Sequence, residues 1–412
     1  MNPRHKRVYG HEVRLLEHEA KRLFREAGIS VPAGSLLRPD ESPGPHLARL
    51  PFPRMVKVQI PRGGRGRAGG IRRAETPAEA AALCSSLFSA PFLGYPVEAL
   101  LCEEVVPALR ECYLGVTYDA ALRSPLLVLS PEGGIEVEET VASDPASVIR
   151  IPLDPLADFH PFQAREAAGA LSLEGENLLR LAELILHAVQ LFRRLDALLL
   201  EVNPVALTGE GSWIALDGHI EIDDDARYRH PELTEVYRIP LRESGPRPAT
   251  AFERQAEAID RMDHRGVAGR VIEFPGDLGI LIGGGGASLT AFDALLRHGA
   301  KPANYCELGG NPTVKKVAAL TQLILSREGV RRLAVIMNVV SNTRADLVAR
   351  GVLKGILELG LAPADVLAVF RIPGAWEDEA AKILAKYDVP LCDRTVSIDE
   401  AARRAAQHRV DR

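Results

Sequence analysis

The chain has 412 residues, of which 46% are hydrophobic and 25% are charged. This length exceeds one ordinary core, so we expect two or three globular domains, and the composition excludes a disordered chain. The net charge of −5 argues against broad nucleic-acid binding. No apolar run reaches the length of a membrane span, and the polar start of the sequence lacks the apolar core of an export signal.

The cysteines predict a reducing environment. None of them forms a C-x-x-C pair, and such isolated thiols are usually buried and unpaired in a cytoplasmic protein. The five are Cys84, Cys102, Cys112, Cys306 and Cys392.

The first half of the chain mixes helical and strand patterns. Apolar residues at helical spacing predict a helix over 11–27 that Gly28 ends. Thr76 followed by Pro77 predicts a helix start, with Thr76 as the N-cap residue. A long amphipathic helix is predicted over 174–194, and strands over 99–105, 112–118 and 126–129.

A short apolar run that carries Lys57 leads directly into a loop with five glycines and three arginines, MVKVQIPRGGRGRAGG. Glycines let backbone amides approach a polyanion closely, and the arginines add positive charge. The loop therefore predicts a flap over phosphates, although a basic surface hairpin is the alternative. It is not a Walker loop, because no G-x-x-x-x-G-K-[ST] is present.

A second pattern involves three oxygen-bearing side chains. In LEVNP, Glu201 and Asn203 alternate with apolar residues as on a strand with one polar face, and Asp217 follows a short apolar run. If the two strands are adjacent, Asn203 and Asp217 can face one Mg²⁺, which accepts carboxylate, amide and phosphate oxygens. Turn or solvent positions are the alternative.

Composition changes over 238–250, where three prolines predict a linker. Beyond it, predicted strands alternate with helices. The predicted strands are 279–282, 332–337 and 366–370, and the predicted helices are 288–298, 314–326, 345–359 and 377–386. This alternation predicts a parallel, doubly wound sheet, whose ligands lie at the C-terminal ends of the strands. The loops 283–287, 307–311 and 340–344 are expected there.

The motifs occur in an order that resembles a known family. They include EAKRLFREAGISVP, VKVQIPRGGRGRAGG, ECYLGVTYD, SPEGGIEVEE, LEVNPVALTGEGSWIALDGHIEIDDDARYRHPEL and KPANYCELGG. The chain resembles the β subunits of ADP-forming succinyl-CoA synthetases from about Leu15 to the end. The resemblance implies an α/β protein: an N-terminal ATP-grasp (α+β) domain over 11–237, with a small subdomain at about 28–105, then the linker and a doubly wound, flavodoxin-like parallel-sheet domain over 251–412.

The resemblance also implies roles for residues of the first domain. Those matching the family's nucleotide contacts are Lys57, Gly64, Arg65, Gly66, Glu103 and Glu111, and those matching its Mg²⁺ ligands are Asn203 and Asp217. Glu201 matches a residue that orients a phosphohistidine. That histidine belongs to a partner α subunit, which also carries a CoA-binding Rossmann domain. The chain departs from the family at Pro61 and Arg62, which puts flap closure in question.

The eleven histidines of this chain do not lie in the family's phosphorylated context. We therefore interpret them, including His219 and His230, as surface or structural residues.

The second domain departs further from the family. Gly283, followed by Gly284, stands where an asparagine usually contacts the carboxylate substrate, and the missing side chain is expected to enlarge the pocket. The segment 341–343 replaces a glycine-rich loop with Ser341, Asn342 and Thr343. These polar residues could merely cap a helix expected to open at Thr343. They also resemble the citrate-binding Asn-x-Thr loop of ATP-citrate lyase and citryl-CoA synthetase, with Asn342 as the matching asparagine. In those enzymes an arginine also holds citrate, and Arg371 is its nearest match here. A surface arginine is the alternative for that residue.

The expected function is one half of an acid–thiol ligase that converts a carboxylate, CoA and ATP into acyl-CoA, ADP and phosphate. A citryl-CoA synthetase-like or other di- or tricarboxylate ligase subunit is the alternative. A non-catalytic carboxylate- or acyl-CoA-binding subunit and an ATP-grasp ligase acting on an amine are rivals. ATP and GTP are the alternative nucleotides, and αβ and α2β2 are the alternative assemblies.

Overall fold

The computed structural model of the chain describes residues 13–47, 51–134, 147–240 and 248–408. Its backbone contacts divide the chain into two units, and the division falls between Pro248 and Ala249. This position lies inside the range predicted as a linker, of which 241–247 are outside the described residues.

The N-terminal unit contains two sheets with helices. In chain order its elements are β1 (Val13–Arg14), α1 (Glu17–Glu26), β2 (Gly34–Leu37), α2 (Pro43–Leu47), β3 (Arg54–Gln59), β4 (Ile71–Ala74), α3 (Pro77–Phe88), β5 (Ala99–Glu104), β6 (Arg110–Asp119), β7 (Ser124–Ser130), β8 (Ile149–Pro152), α4 (Pro161–Gly169), α5 (Gly175–Arg194), β9 (Ala197–Leu207), β10 (Trp213–Ala215), β11 (His219–Ile222), a 3₁₀ turn (Asp224–Arg229) and α6 (Glu232–Glu235).

The larger sheet has seven strands within the described ranges, in the order β1-β11-β9-β6-β7-β8, with β10 also paired to β9. All pairs are antiparallel. Side chains of β9 alternate between its two faces: Leu200 and Val202 are buried in the core with α5, whereas Glu201 and Asn203 face a cavity. This alternation places the polar residues of LEVNP on one face, as the sequence predicts.

The smaller sheet has the order β2-β5-β3-β4 and is antiparallel throughout. Helix α3 covers it and begins where the sequence predicts. The Thr76 hydroxyl accepts a hydrogen bond from the Glu79 amide, and Pro77 occupies the first turn. Val56, Val58 and Cys102 are buried beneath this helix.

The predicted helix over 11–27 begins later than expected. Val13 and Arg14 form β1, which pairs with β11, and the Leu15 amide donates to the Ile220 carbonyl. Sheet pairing therefore overrides the local helical spacing, and α1 starts only at Glu17. The predicted long helix over 174–194 is confirmed as α5.

The C-terminal unit contains one sheet with helices on both faces. Its elements are α7 (Ala251–Asp260), β12 (Val267–Glu273), β13 (Leu278–Gly283), α8 (Gly286–Arg297), β14 (Asn304–Gly309), α9 (Val314–Leu325), β15 (Arg332–Met337), α10 (Ala345–Glu358), α11 (Pro363–Val366), β16 (Leu367–Arg371), α12 (Glu377–Ala385) and α13 (Ile398–Gln407).

The strand order is β12-β14-β13-β15-β16. The strands β14, β13, β15 and β16 are parallel to one another, whereas the edge strand β12 is antiparallel to β14. The predicted strands 279–282, 332–337 and 366–370 do form a parallel sheet, and the antiparallel edge strand β12 was not predicted. The sheet is doubly wound, because α8 and α13 pack on one face and α9, α10 and α12 on the other. Residues 307–309, predicted to begin a loop, end β14 instead.

None of the described helices combines the length and hydropathy that a membrane span requires.

Candidate functional site

A cavity of about 1010 Å³ lies within the N-terminal unit. Its wall brings together segments that are far apart in sequence: the glycine-rich loop, the end of β5, the cavity-facing side of β9 and the turn after β10. The predicted site residues on this wall are Lys57, Gly64, Arg65, Gly66, Glu103, Glu201, Asn203 and Asp217. This size is sufficient for a nucleotide-sized ligand.

The glycine-rich loop is held together by its own backbone. The Ala68 amide donates to the Gly64 carbonyl, and the Gly70 amide donates to the Arg65 carbonyl at 2.8 Å. Gly64 has a φ of +78° and open space around its α-carbon. Its exposed backbone is therefore free to meet a ligand, as the flap prediction requires.

Lys57 is not the solvent-facing lysine that was the alternative interpretation, because it is only 6% exposed. Its Nζ donates to Glu17 Oε1 at 2.8 Å and to the Leu216 carbonyl at 2.6 Å, and it lies 3.0 Å from Glu103 Oε2. Lys21 joins the same group, with its Nζ 2.7 Å from Glu17 Oε1 and 2.6 Å from Glu103 Oε2.

Arg65 links this group to Asp217. One guanidinium nitrogen donates to Glu17 at 2.7 Å, and the other donates to both carboxylate oxygens of Asp217 at 2.9 Å. Planar, two-point pairing of this kind is the strong geometry for an arginine and a carboxylate. We call the six side chains Glu17, Lys21, Lys57, Arg65, Glu103 and Asp217 the buried ion network; it holds three cations and three carboxylates.

Burial and charge oppose each other in this network. Burial raises the pKa of Glu17, but Lys21, Lys57 and Arg65 lower it more, so the pKa lies well below its usual range. Burial likewise lowers the pKa of Lys57, but Glu17, Glu103 and Asp217 raise it above its ordinary value. Both side chains therefore stay charged at neutral pH.

Asn203 is oriented by the turn that follows β7. Its Oδ1 accepts from the Gly134 amide at 2.6 Å, and its Nδ2 donates to the Gly134 carbonyl at 3.2 Å. An amide oxygen has a second lone pair, which remains available for a metal.

The donor set fits Mg²⁺. Asn203 and Asp217 supply one amide and one carboxylate oxygen to the same cavity, and Mg²⁺ commonly takes its other ligands from phosphate and water. Within the described residues, no group of three or more His, Cys, Asp or Glu side chains is placed to hold a metal ion. The residues present thus suit a metal carried in with phosphates rather than a site built wholly from protein.

Glu201 lies opposite His219 in the pairing of β9 with β11. Burial is the largest influence on it and raises the pKa of its carboxyl above the usual range, while His219 acts in the opposite direction. The Nε2 of His219 lies 3.0 Å from Arg14 Nε and 2.8 Å from Glu221 Oε1. His219 was interpreted as a surface or structural residue; its contacts with Arg14 and Glu221 fit the structural role, and it also lines the cavity.

Several residues of this site were missed. Four residues near the site were not predicted from the sequence: Arg14, Glu17, Lys21 and Tyr113. Arg14, Glu17 and Tyr113 line the cavity, and Lys21 belongs to the buried ion network. Glu17 and Lys21 are four residues apart on α1, a spacing that is also typical of exposed helical pairs. The signal that could have found them is their position on the same helical face as buried apolar residues.

Glu111 was predicted with the nucleotide contacts, but the structure does not bring it to the others. It is exposed, it is absent from the cavity wall, and its carboxylate lies near Gly134. Its role stays a prediction.

In the C-terminal unit, Gly283 ends β13 and is required by packing. A β-carbon there would lie 2.3 Å from the Leu308 carbonyl oxygen. The absent side chain therefore does not enlarge a pocket at this position, since neighbouring backbone fills the space. Gly284 follows with a φ of +114°, which favours glycine.

The helix predicted over 345–359 is confirmed as α10, but the expectation that it opens at Thr343 and is capped by Ser341, Asn342 or Thr343 is wrong. Helix α10 begins at Ala345, its N-cap residue is Arg344, and no side chain caps it. The Ala345 amide is bonded to the Ala375 carbonyl at 3.0 Å. Ser341 and Asn342 are exposed, whereas Thr343 is buried and its hydroxyl accepts from the Asn311 amide at 3.4 Å. Contacts between loops, rather than capping, therefore fix this segment.

Arg371 lies at the end of β16, as predicted, but it is buried rather than on the surface. Its Nε donates to the Val396 carbonyl and its Nη1 to the Met337 carbonyl, both at 2.6 Å. Burial lowers the pKa of the guanidinium. The side chain joins the end of β15 to the segment before α13, and its role toward a carboxylate stays a prediction.

The chain is similar to known proteins over most of its length. The ATP-grasp domain family matches residues 14–207. The ADP-forming succinate–CoA ligase subunit beta of Rubrobacter xylanophilus is 33% identical over 95% of this chain and 98% of its own length. The same subunit of Methanothermobacter thermautotrophicus is 34% identical over 96% of this chain and 99% of its own length.

Among solved structures, ATP citrate lyase from Methanothrix soehngenii, in complex with citrate and coenzyme A, has a similar fold. The TM-score is 0.71 at 18% identity, over 96% of this chain and 99% of that chain. The ATP citrate lyase of Methanosaeta concilii gives a TM-score of 0.70 at 17% identity, over 94% and 98% of the two chains. From its sequence relatives, this chain belongs to the family of β subunits of ADP-forming succinate–CoA ligases.

Proposed function

We propose that this chain is the nucleotide-using subunit of an ADP-forming acid–CoA ligase, and that it phosphorylates a histidine of a partner α subunit. The observation that carries the proposal is the single cavity wall that holds the glycine-rich loop, Lys57, Arg65, Asn203 and Asp217. These residues combine backbone amides, fixed cations and hard oxygen ligands, which is the set that phosphoryl transfer requires.

The cations of the buried ion network are prepared for phosphates. Lys57 and Arg65 are charged and desolvated, and each is paired with carboxylates. A triphosphate entering the cavity offers the same cations a stronger anion. The network thus keeps them protonated and positioned, and avoids leaving unpaired buried charge.

Asn203 and Asp217 would hold the Mg²⁺ that accompanies ATP. When bound, this ion neutralises charge that develops on the transferred phosphoryl group. Because Asp217 is paired with Arg65, metal binding there would free the guanidinium to face the phosphates.

Glu201 would receive the partner's imidazole. Its carboxylate lies on the same face of β9 as Asn203, two residues away, so the acceptor would be close to the metal-held phosphates. A carboxylate hydrogen-bonded to one imidazole nitrogen orients the other nitrogen for attack. The partner would also supply the CoA-binding Rossmann domain, and the complex would work in the cytoplasm.

The acid would bind at the C-terminal ends of the strands of the second unit, near Gly284, Ser341 and Asn342. Ser341 and Asn342 are exposed there, and their side chains offer hydrogen bonds that a plain dicarboxylate does not fully use. This observation favours a hydroxy acid or a tricarboxylate over succinate as the preferred substrate. A citryl-CoA synthetase-like specificity is the second candidate on the same ground.

The test is to co-express the chain with the α-like protein of its genome neighbourhood and to measure ADP release with CoA. Succinate, malate, citrate and other acids are compared at matched concentrations. We expect ADP release that depends on an acid, on CoA and on both proteins. A complex that binds an acyl-CoA but releases no ADP with any acid would support the non-catalytic alternative instead.

A further inference from the structure

One row of residues crosses the larger sheet beneath the cavity. His219 on β11 pairs with Glu201 on β9, Glu201 pairs with Gly115 on β6, and Gly115 pairs with Val128 on β7. The side chains of His219, Glu201 and Val128 line the cavity. Gly115 is the one position in this row that places no side chain on it.

The ring of Tyr113 lies over that gap. A β-carbon on Gly115 would lie 2.5 Å from the Tyr113 hydroxyl oxygen and 3.0 Å from two of its ring carbons. The glycine therefore makes room for the hydroxyl, and the hydroxyl lies beside the strand position that Glu201 occupies.

The backbone of Tyr113 lies opposite Asn203, the proposed metal ligand on β9. Between Cys112, which pairs with Val205, and Leu114, which pairs with Val202, β6 has one residue and β9 has two. Tyr113 is thus opposite Asn203 and Pro204, at a β-bulge, an irregularity that often redirects a side chain near an active site. Its side chain extends from the proposed metal ligand toward Glu201.

The hydroxyl is available to a ligand. Tyr113 lines the cavity, and among the residues that the structure describes its oxygen is neither buried without a partner nor bonded to a neighbour. Burial, followed by the charge of Glu201, raises the pKa of Tyr113 well above its usual value. The phenol therefore keeps its proton and acts as a hydrogen-bond donor.

We propose that Tyr113 is a catalytic residue whose hydroxyl donates a hydrogen bond to the phosphoryl group as it moves from the nucleotide to the partner's imidazole. This inference rests on the proposed function. In the step, the bond between the terminal phosphorus and the bridging oxygen breaks, a phosphorus–nitrogen bond forms, and ADP leaves with the electron pair. Tyr113 retains its proton and stabilises charge on a non-bridging oxygen.

The test is Tyr113→Phe, which keeps the ring over Gly115 and removes only the hydroxyl. Single-turnover labelling of the partner from γ-³²P-ATP should slow by about 10- to 100-fold, since one donor to transition-state charge is typically worth that much or more. The affinity for Mg·ATP, measured by calorimetry, should change less than twofold. Tyr118→Phe is the matched control, because Tyr118 is on the same strand but exposed and outside the cavity wall.

A second variant tests the position of the hydroxyl independently, in case Tyr113→Phe fails to fold. Gly115→Ala retains the Tyr113 hydroxyl but displaces it, and should slow labelling by a similar factor without a change in Mg·ATP affinity. Labelling within twofold of wild type in Tyr113→Phe, or a loss that appears only as weaker Mg·ATP binding, would overturn the assignment. If the wild-type complex itself gave no labelled partner, the proposed function would fail first.

Discussion

The residues predicted to bind ligands have different partners in the two units. In the N-terminal unit, Lys57, Arg65 and Asp217 are paired with other side chains around a cavity. In the C-terminal unit, Arg371 and Thr343 are bonded to backbone groups of neighbouring loops. Paired side chains can exchange one ionic partner for a ligand, whereas a side chain bonded to backbone holds a loop in place. We infer that the first region handles the phosphates directly and that the second mainly shapes its loops.

The largest expected effect is that of Asp217→Asn. It removes the proposed metal charge and the ionic partner of Arg65, so phosphorylation of the partner should fall by a factor of about 10³ or more, corresponding to several kcal/mol at the transition state. Labelling from γ-³²P-ATP measures this loss. Asp40→Asn, at an exposed turn of the same unit, should label normally. Wild-type labelling by Asp217→Asn with an unchanged melting curve would remove the metal assignment.

Next is Glu17→Gln, which tests the buried ion network. Glu17 is 4% exposed and contacts three cations, so neutralising it should lower the free energy of unfolding by about 3–5 kcal/mol. Urea denaturation measures this change. The control Glu26→Gln lies on the same helix but is exposed, and should cost about 0–1 kcal/mol.

The same variant has a pH signature. Because the pKa of Glu17 lies below its unfolded value of about 4.3, its stabilisation is present above that pH and is lost as the pH falls through the folded pKa. The difference in unfolding free energy between wild type and Glu17→Gln should therefore shrink below pH of about 4.3. A difference that stays constant down to the acid transition would contradict the depressed pKa.

Arg371→Lys distinguishes a loop contact from a substrate contact. Lysine cannot reproduce the two hydrogen bonds to Val396 and Met337, so we expect a loss of about 1–3 kcal/mol in unfolding free energy. The KM for the acid should change little. A large rise in that KM at unchanged stability would show instead that Arg371 binds the carboxylate.

The smallest expected effect is that of Asn342→Ala. Asn342 is exposed at the strand ends, so its loss should raise the KM for the acid about tenfold, or about 1.4 kcal/mol, and leave phosphorylation of the partner unchanged. Ser326→Ala is the control, because Ser326 is exposed at the C-terminal end of α9. Succinate as the best acid, with Asn342→Ala harmless, would show that this loop plays no part in specificity.

The same contrast explains what the sequence could predict. In the second unit, the strands β13, β15 and β16 and the helices α8, α9, α10 and α12 were predicted closely, because buried strands and amphipathic helices have strong periodic patterns. The strands β12 and β14 were not predicted. The face of β9 that carries Glu201 and Asn203 was also predicted, since alternation alone defines it. The places of Glu17 and Lys21 in the buried ion network were not predicted, because their contacts join α1 to β3 and β5 over long sequence separations.

The errors have a common physical origin. Residues 341–343 were predicted to cap α10, but the first amide of this helix donates to the Ala375 carbonyl instead. The role of Gly283 was predicted from a missing side chain, but the Leu308 carbonyl fills that space. The early start of α1 was predicted from spacing, but β11 recruits Val13 and Arg14 as a strand. In each case a backbone group from a distant segment decided the outcome.

The most direct test of the account is rapid-quench labelling of the chain with and without its α-like partner. The isolated chain should bind Mg·ATP but form no acyl-CoA from any acid. With the partner present, γ-phosphate should appear on a partner histidine before acyl-CoA forms, at a rate that accounts for steady-state turnover. Acyl-CoA formation by the isolated chain, or turnover by the complex with no labelled histidine, would contradict the account.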